Sequence, residues 1–191
     1  MTESPLTEAP PAATPGQTIG PFYHFALPYD GGSELVPPGH ADAVRLTGRV
    51  LDGRGQPVID SMIEIWQADA DGNVVQRAGS LHRDGWTFTG FGRTSTDNDG
   101  RYSFTTVLPG AVDGRPPFIA MTVFARGLLN RLFTRVYLPG HDHAGDPLLG
   151  SLPEERARTL VAEQRGKELH FDVRLQGEEE TVFLRYPQQP A

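Results

Sequence analysis

The stretch that most constrains this chain is a punctuated pair of candidate strands between Phe91 and Gly110. Asp97-Asn98-Asp99-Gly100 sets four turn formers in a row, and Gly100 can take a positive φ at no steric cost. Beyond it, Tyr102, Phe104 and Thr106 alternate with Arg101, Ser103 and Thr105, the period of a half-buried strand. Pro109-Gly110 then ends the ladder, because proline has no N–H to donate. The spacing predicts a hairpin around which the other strands pack, and hence stacked sheets rather than a helical bundle.

Other segments repeat the pattern. Val44, Leu46 and Val50 mark one face of a strand that Gly48 interrupts, and Asp52-Gly53-Arg54-Gly55 turns the chain. Met62, Glu64 and Trp66 alternate with Ile63 and Ile65. Leu169, Phe171 and Val173 alternate with His170, Asp172 and Arg174, placing His170 on the non-core side, and a last strand is expected over Thr181 to Tyr186. Short strands with turn signals at this spacing predict an all-β, antiparallel β-sandwich with long loops. Pro153 to Gly166 is the one helical stretch, with Ser151 as a candidate cap and Gly166 as a stop.

Residues 1–16, rich in Pro, Ala and Thr, read as a flexible arm ahead of a single domain over 17–191. Next, Gln17-Thr18-Ile19-Gly20-Pro21-Phe22-Tyr23-His24 sets aromatics after a Gly-Pro turn, as in a strap lying on its own core or on a partner. His24 reads as a surface or packing histidine. A net charge of −7 argues against nucleic acid or an anionic membrane as the main partner. The absence of cysteine excludes disulfides, thiolate metal sites and a Cys nucleophile. The longest near-apolar run, Phe118 to Ala125, is too short to span a bilayer, and no signal-peptide pattern opens the chain. The cytoplasm is the expected compartment.

Single candidate groups carry little chemistry on their own. Glu64 has the form of a general base, but a lone strand carboxylate more often pairs with a cation, and that reading is favoured. Asp69 and Asp71 lack the pattern of a calcium loop and read as turn residues. His141-Asp142-His143 would put two imidazoles on one face of a strand, a metal-binding geometry. The segment lies between Gly140 and Pro147, however, and reads as a loop with no clear third ligand, although Asp142 and Asp146 are near.

In combination the fragments are specific. Gln17-Thr18-x-Gly20-Pro21-Phe22, Ile65-Trp66-Gln67-Ala68-Asp69, Phe91-Gly92-Arg93-Thr94, the Asp97–Gly100 turn with its strands, and Phe171-Asp172-Val173-Arg174-Leu175-Gln176-Gly177 occur in the order seen in intradiol ring-cleaving dioxygenases. The chain resembles that family from about Gln17 to Tyr186. The ending Gln176-Gly177-Glu178-x-Glu180-Thr181-Val182-Phe183 resembles the alpha-type chains of its two-chain members.

The resemblance implies a ferric ion held by two tyrosines and two histidines in catalytic relatives, the histidines on a strand reading Arg-Pro-Ala-His-x-His-Phe. Here the stretch reads Arg115-Pro116-Pro117-Phe118-Ile119-Ala120, so Phe118 and Ala120 stand where the imidazoles would. Ala111 and Val112 follow Pro109-Gly110, and Gly72-Asn73-Val74-Val75 follows the Trp66-Gln67-Ala68 stretch; neither loop has the expected tyrosine. None of the four ligands is present, and surrounding residues that only orient ligands cannot replace them.

The expectation is therefore a chain without metal or catalytic residues of its own, paired with a beta subunit that holds Fe(3+). Together they would cleave protocatechuate with O2 to 3-carboxy-cis,cis-muconate. By resemblance Thr18, Gly20, Pro21, Phe22 and Arg126 help to form the shared substrate pocket. A guanidinium and backbone donors suit a substrate bearing a carboxylate and two hydroxyls. Read from its residues alone, Arg126 equally suits a salt bridge at a strand end. Two rivals remain: a self-sufficient dioxygenase using His141 and His143, and a non-enzymatic transthyretin-like binding or spacer module.

Overall fold

A computed structural model of the chain describes residues 18–20, 22–77, 81, 83–143 and 145–186. The expected arm over 1–16 lies outside them, as do Pro21 and His82. Two sheets face each other. The first holds β1 (Val44–Leu51), β4 (Arg101–Thr106), β7 (Glu163–Arg165), β8 (Glu168–His170) and β9 (Val173–Arg174), in the order β4-β1-β8-β7 with β9 also on β1. The second holds β2 (Met62–Trp66), β3 (Phe91–Ser95), β5 (Phe118–Phe124) and β6 (Leu132–Tyr137), in the order β3-β2-β5-β6.

The result is the all-β sandwich that the alternation implied. Pairing is antiparallel throughout the second sheet, whereas β8 and β9 run parallel to β1. Leu46, Val50, Phe104, Leu169 and Val173 from the first sheet meet Ile63, Ile65, Ile119, Met121, Val123 and Val136 from the second, all deeply buried. Each such side chain contributes about 1.5–3 kcal/mol through removal of its apolar surface from water. The buried amide of Gln67 stitches the sheets together: Nε2 donates to Val107 O, and Oε1 accepts the Thr106 hydroxyl, both at 2.8 Å. Gly48 is needed in β1 because the Tyr102 phenol crosses it to reach Phe171 O; a Cβ there would lie 1.8 Å from that oxygen.

The expected hairpin is corrected. The Asp97–Gly100 turn forms, with Asp97 Oδ1 accepting the N–H groups of Asp99 and Arg101, and Gly100 at φ +69°. Its arms do not pair with each other, however. β3 pairs with β2 and β4 pairs with β1, so the turn is an arch between sheets. The cause lies in anchors beyond the turn. The Thr96 hydroxyl accepts Ser61 N–H and donates to Val58 O, which holds the first arm beside β2. Val50 N–H donates to Gly100 O, which holds the second arm on β1.

The helix expected over Pro153 to Gly166 is also corrected. Only α2 (Glu154–Arg158) is helical, and Pro153 precedes it with no side-chain cap. Ser151 belongs to a 3-10 turn (Leu149–Ser151), and its hydroxyl donates to Leu148 O. After Thr159 the chain is drawn out along the end of β6, where Tyr137 and Leu160/Ala162 exchange backbone hydrogen bonds. Gly166 turns β7 into β8 at φ +61°. The strand expected over Thr181 to Tyr186 reduces to a single bridge between Leu184 and Phe133. A short helix, α1 (Tyr23–Ala26), forms within the strap.

Leu149, Leu160 and Val182 bury Tyr137 on the outer face of the second sheet, with Phe118 and Val161 packed against them. This second core closes one end of that face. Among the described residues, no helix is long and apolar enough to cross a membrane.

Candidate functional site

Strand β5 links the two places where sequence reasoning located chemistry. Ile119, Met121 and Val123 face the core, while Phe118, Ala120, Thr122 and Phe124 alternate with them on the partly exposed outer face. At the Phe118 end, the guanidinium carbon of Arg135 lies 4.2 Å from the phenyl centroid. Arg135 Nη1 donates to Tyr137 Oη at 3.0 Å, and Tyr137 donates to Asp146 Oδ1 at 2.9 Å. The same oxygen takes the N–H groups of Leu148 and Leu149, so Asp146 fixes the segment that covers Tyr137. Burial pushes the Tyr137 phenol up to about 12; Arg135 pulls against this, and Asp146 adds to it.

These residues do not fit a ferric ion. Phenyl, methyl and isopropyl groups at Phe118, Ala120, Val112 and Val74 have no lone pair, and a cation already covers the Phe118 ring. The two loops expected to carry tyrosines do meet: Gly110 N–H donates to Asp69 O, and a Cβ at Gly72 would lie 2.1 Å from Ala111 O. Asp69 serves that turn, its carboxylate accepting the N–H groups of Asp71 and Asn73. Hydrogen bonds from Asn73 hold its pKa below the ordinary value.

The His-x-His stretch serves packing. His143 Nε2 lies 3.1 Å from Leu138 O, and its ring is edge-on to Tyr137. His141 is exposed. Among the described residues, no group of three or more His, Cys, Asp or Glu side chains is placed to hold a metal ion.

At the other end of β5 the strap and Arg126 come together. The Thr18 hydroxyl accepts Gly127 N–H at 2.7 Å, and the Tyr23 phenol reaches both Phe124 O and Asp60 O, at 2.6 and 2.7 Å. Burial, reinforced by the Asp60 charge, raises the Tyr23 pKa. Asp60 Oδ2 pairs with Arg126 Nε at 3.1 Å, with the arginine side chain 62% exposed. The remaining N–H groups of that guanidinium have no partner among the described residues. The strand-end salt bridge therefore exists, and it leaves a free, oriented fork.

Gly20 is exposed with open space about it, and Phe22 is 77% exposed; Pro21 lies outside the described residues. His24 is buried rather than on the surface, its ring tilted against Phe25, and its Nδ1 has no partner among the described residues. Glu64 is ion-paired, as expected: Arg93 Nη2 and Nε lie 2.6 and 2.8 Å from Oε1. Arg93 Nη1 also donates to Leu27 O, tying the strap to β3.

A family model described as Dioxygenase matches residues 20–177. The chain is 40% identical to the protocatechuate 3,4-dioxygenase alpha chain of Burkholderia cepacia, over 90% of this chain and 96% of that one. It belongs to the intradiol dioxygenase family. The corresponding alpha chain of Pseudomonas putida is 37% identical, over 91% of this chain and 96% of that one. The beta chain from Burkholderia cepacia is 34% identical, over 75% of this chain and 68% of that one. In fold, the chain matches catechol 1,2-dioxygenase from Pseudomonas arvilla C-1 with a TM-score of 0.57 at 20% identity, covering 83% of this chain and 60% of that one.

For this dioxygenase-family chain, sequence reasoning missed Tyr23 and Asp60, the two residues that seat the strap and aim Arg126. Tyr23 had a usable signal, an aromatic directly after Gly-Pro-Phe. Asp60 had none, because its partner lies 66 residues away in sequence.

Proposed function

We propose that this chain is the non-iron, alpha-type subunit of a protocatechuate 3,4-dioxygenase. With a beta subunit that holds Fe(3+), it cleaves protocatechuate with O2 to 3-carboxy-cis,cis-muconate. The observation that carries this reading is the pairing of two facts. Alpha chains match along nearly their whole length, and Phe118, Ala120, Val112 and Val74, none with a lone pair, stand near the four positions where the resemblance implies metal ligands. The similarity to a beta chain supports a partner of like fold.

In this reading residues 17–191 form one domain, and Thr18, Gly20, Pro21, Phe22 and Arg126 line one side of a pocket completed by the partner. Asp60 holds Nε of Arg126, and the free terminal N–H groups take the substrate carboxylate. Around them Phe22, Phe25, Ile59 and Leu129 are 77%, 75%, 46% and 64% exposed, an apolar rim suited to being covered by another chain. The cytoplasm is the proposed compartment.

Co-expression with a chain carrying Arg-Pro-x-His-x-His tests the reading. Ring cleavage is expected from the complex, whereas this chain purified alone should contain far less than one iron per chain and turn nothing over. Stoichiometric ferric ion with a tyrosinate charge-transfer colour in the lone chain would overturn it. So would equal activity of the beta chain with and without this one, as a non-enzymatic transthyretin-like module predicts.

A further inference from the structure

Two contacts from the strap bracket Arg126. The Tyr23 phenol reaches the carbonyl of Phe124 at 2.6 Å, on one side of it, and the Thr18 hydroxyl accepts the N–H of Gly127 at 2.7 Å, on the other. The same phenol reaches Asp60 O at 2.7 Å. One side chain therefore ties together the two backbone segments that carry the Asp60–Arg126 ion pair.

The tie falls where the sheet ceases to supply one. The pairing of β2 with β5 ends at Met62 and Phe124, so Asp60 and Arg126 lie just beyond the last rung, and Gly127 turns the chain at φ +91°. Asp60 has a second hold through its neighbour, since Ser61 N–H donates to the Thr96 hydroxyl and Ser61 O accepts Thr96 N–H. Among the described residues, Arg126 and Gly127 make their polar contacts with other segments through the ion pair and the Thr18 bond. An ion pair to so exposed a guanidinium holds its direction weakly, because water competes for the charge. The helix α1 turns Tyr23 and His24 inward, with the two rings edge-on, and leaves Phe22 and Phe25 exposed. Tyr23 is thus held from behind as it grips the two carbonyls.

We propose that Tyr23 is a positioning residue: by tying the strap to Asp60 O and Phe124 O it fixes the direction of the Arg126 fork, so that recognition of the substrate carboxylate depends on the strap being seated. The inference rests on the pocket reading given above. It adds that the strap acts on the substrate through Arg126, and not only by lining the pocket. A misplacement of about 1 Å is enough to cost an oriented contact much of its worth.

Steady-state kinetics of the complex with protocatechuate test this in four forms: wild type, Tyr23→Phe, Arg126→Ala and the double variant. Tyr23→Phe removes only the hydroxyl. It should lower kcat/KM about three- to tenfold, the range expected for one neutral hydrogen bond. The loss should fall on the same parameter, KM or kcat, that Arg126→Ala moves. With Arg126 already gone there is no fork to aim, so the double variant should be no worse than Arg126→Ala alone. Should Tyr23→Phe fail to fold, Asp60→Asn serves in its place, with the same expected silence in the Arg126→Ala background. Losses that multiply in the double variant would overturn the proposal, since they would mean that Tyr23 supports the fold and not the arginine. An unchanged kcat/KM in Tyr23→Phe beside a clear loss in Arg126→Ala would overturn it and leave the pocket reading standing. An unchanged value in Arg126→Ala would sink the role of Arg126 in the pocket, and this inference with it.

Discussion

The two ends of β5 have opposite characters. At the Phe118 end a guanidinium lies over a phenyl ring and joins a phenol and a buried carboxylate in one hydrogen-bonded chain, with the phenol packed under a second core. At the Phe124 end, Tyr23 and Thr18 bond only to backbone groups, and Arg126 leaves most of its guanidinium free beside exposed aromatics. One end is closed by packing and the other is held open by a few anchors. The ends share a strand but not a cover, so side chains without lone pairs at the first need not disturb the exposed donors at the second.

The largest expected effect tests whether the closed end is a stability element. Leu160 is fully buried in the second core. Leu160→Ala should lower unfolding free energy by about 2–5 kcal/mol, the loss of a buried side chain plus a cavity. A urea midpoint indistinguishable from wild type would mean that the segment over Tyr137 adds nothing to the fold. Turnover by the folded complex should hardly change, since no proposed pocket residue touches Leu160.

The open end should respond in the opposite way. Arg126→Ala should lower the urea midpoint modestly, because water screens the exposed guanidinium while the largely buried Asp60 carboxylate loses its ion-pair partner. The kcat/KM of the complex for protocatechuate should fall about ten- to a hundredfold, the value of one charge-assisted hydrogen bond of about 1.5–3 kcal/mol. If the contact is equally strong in ground and transition states, the loss appears in KM. Catechol, which lacks the carboxylate, should show little change. Equal losses on both substrates would reduce Arg126 to the Asp60 partner alone.

The smallest effect is alkaline. Tyr137 has a folded pKa of about 12 against 10.0 in the open chain, and burial also raises Tyr23, Tyr29 and Tyr102. A phenol raised on folding contributes stability that is complete below pH 10 and lost as pH climbs through the folded value. Tyrosinate absorbance should therefore lag behind free tyrosine above pH 10 and rise as the fold is lost. Tyr137→Phe should remove one absorber from that late step and flatten the pH dependence of stability. Complete titration of all the tyrosines near pH 10 in a folded chain would contradict the closed end as described.

Some of this was written locally. Asp52, Asp69 and Asp97 each accept backbone N–H groups two and four residues onward, so those turns follow from short stretches of chain. The alternation in β1 and β4 set their inward faces, and the absence of lone pairs at Phe118 and Ala120 needed only the residue names, whereas β5 read only as a near-apolar run. The general position of Arg126 followed from Phe-Ala-Arg-Gly at a strand end, but its geometry did not.

Tertiary structure decided which strand each arm joins and what covers each face. The Asp97–Gly100 turn reverses the chain in either a hairpin or an arch, and only Thr96 on Ser61 and Val58, with Val50 on Gly100, selects the arch. Residues 159–162 were drawn from helix into extended chain because the end of β6 offers backbone partners there. Asp60 met Arg126, and Arg135 met Phe118, through strand pairing between distant segments. Sequence by itself determined the turns, the strand faces and the missing ligands, because those depend on neighbours a few residues away. The two ends of β5 depend on partners dozens of residues away, which only the packed sheets bring within hydrogen-bonding distance.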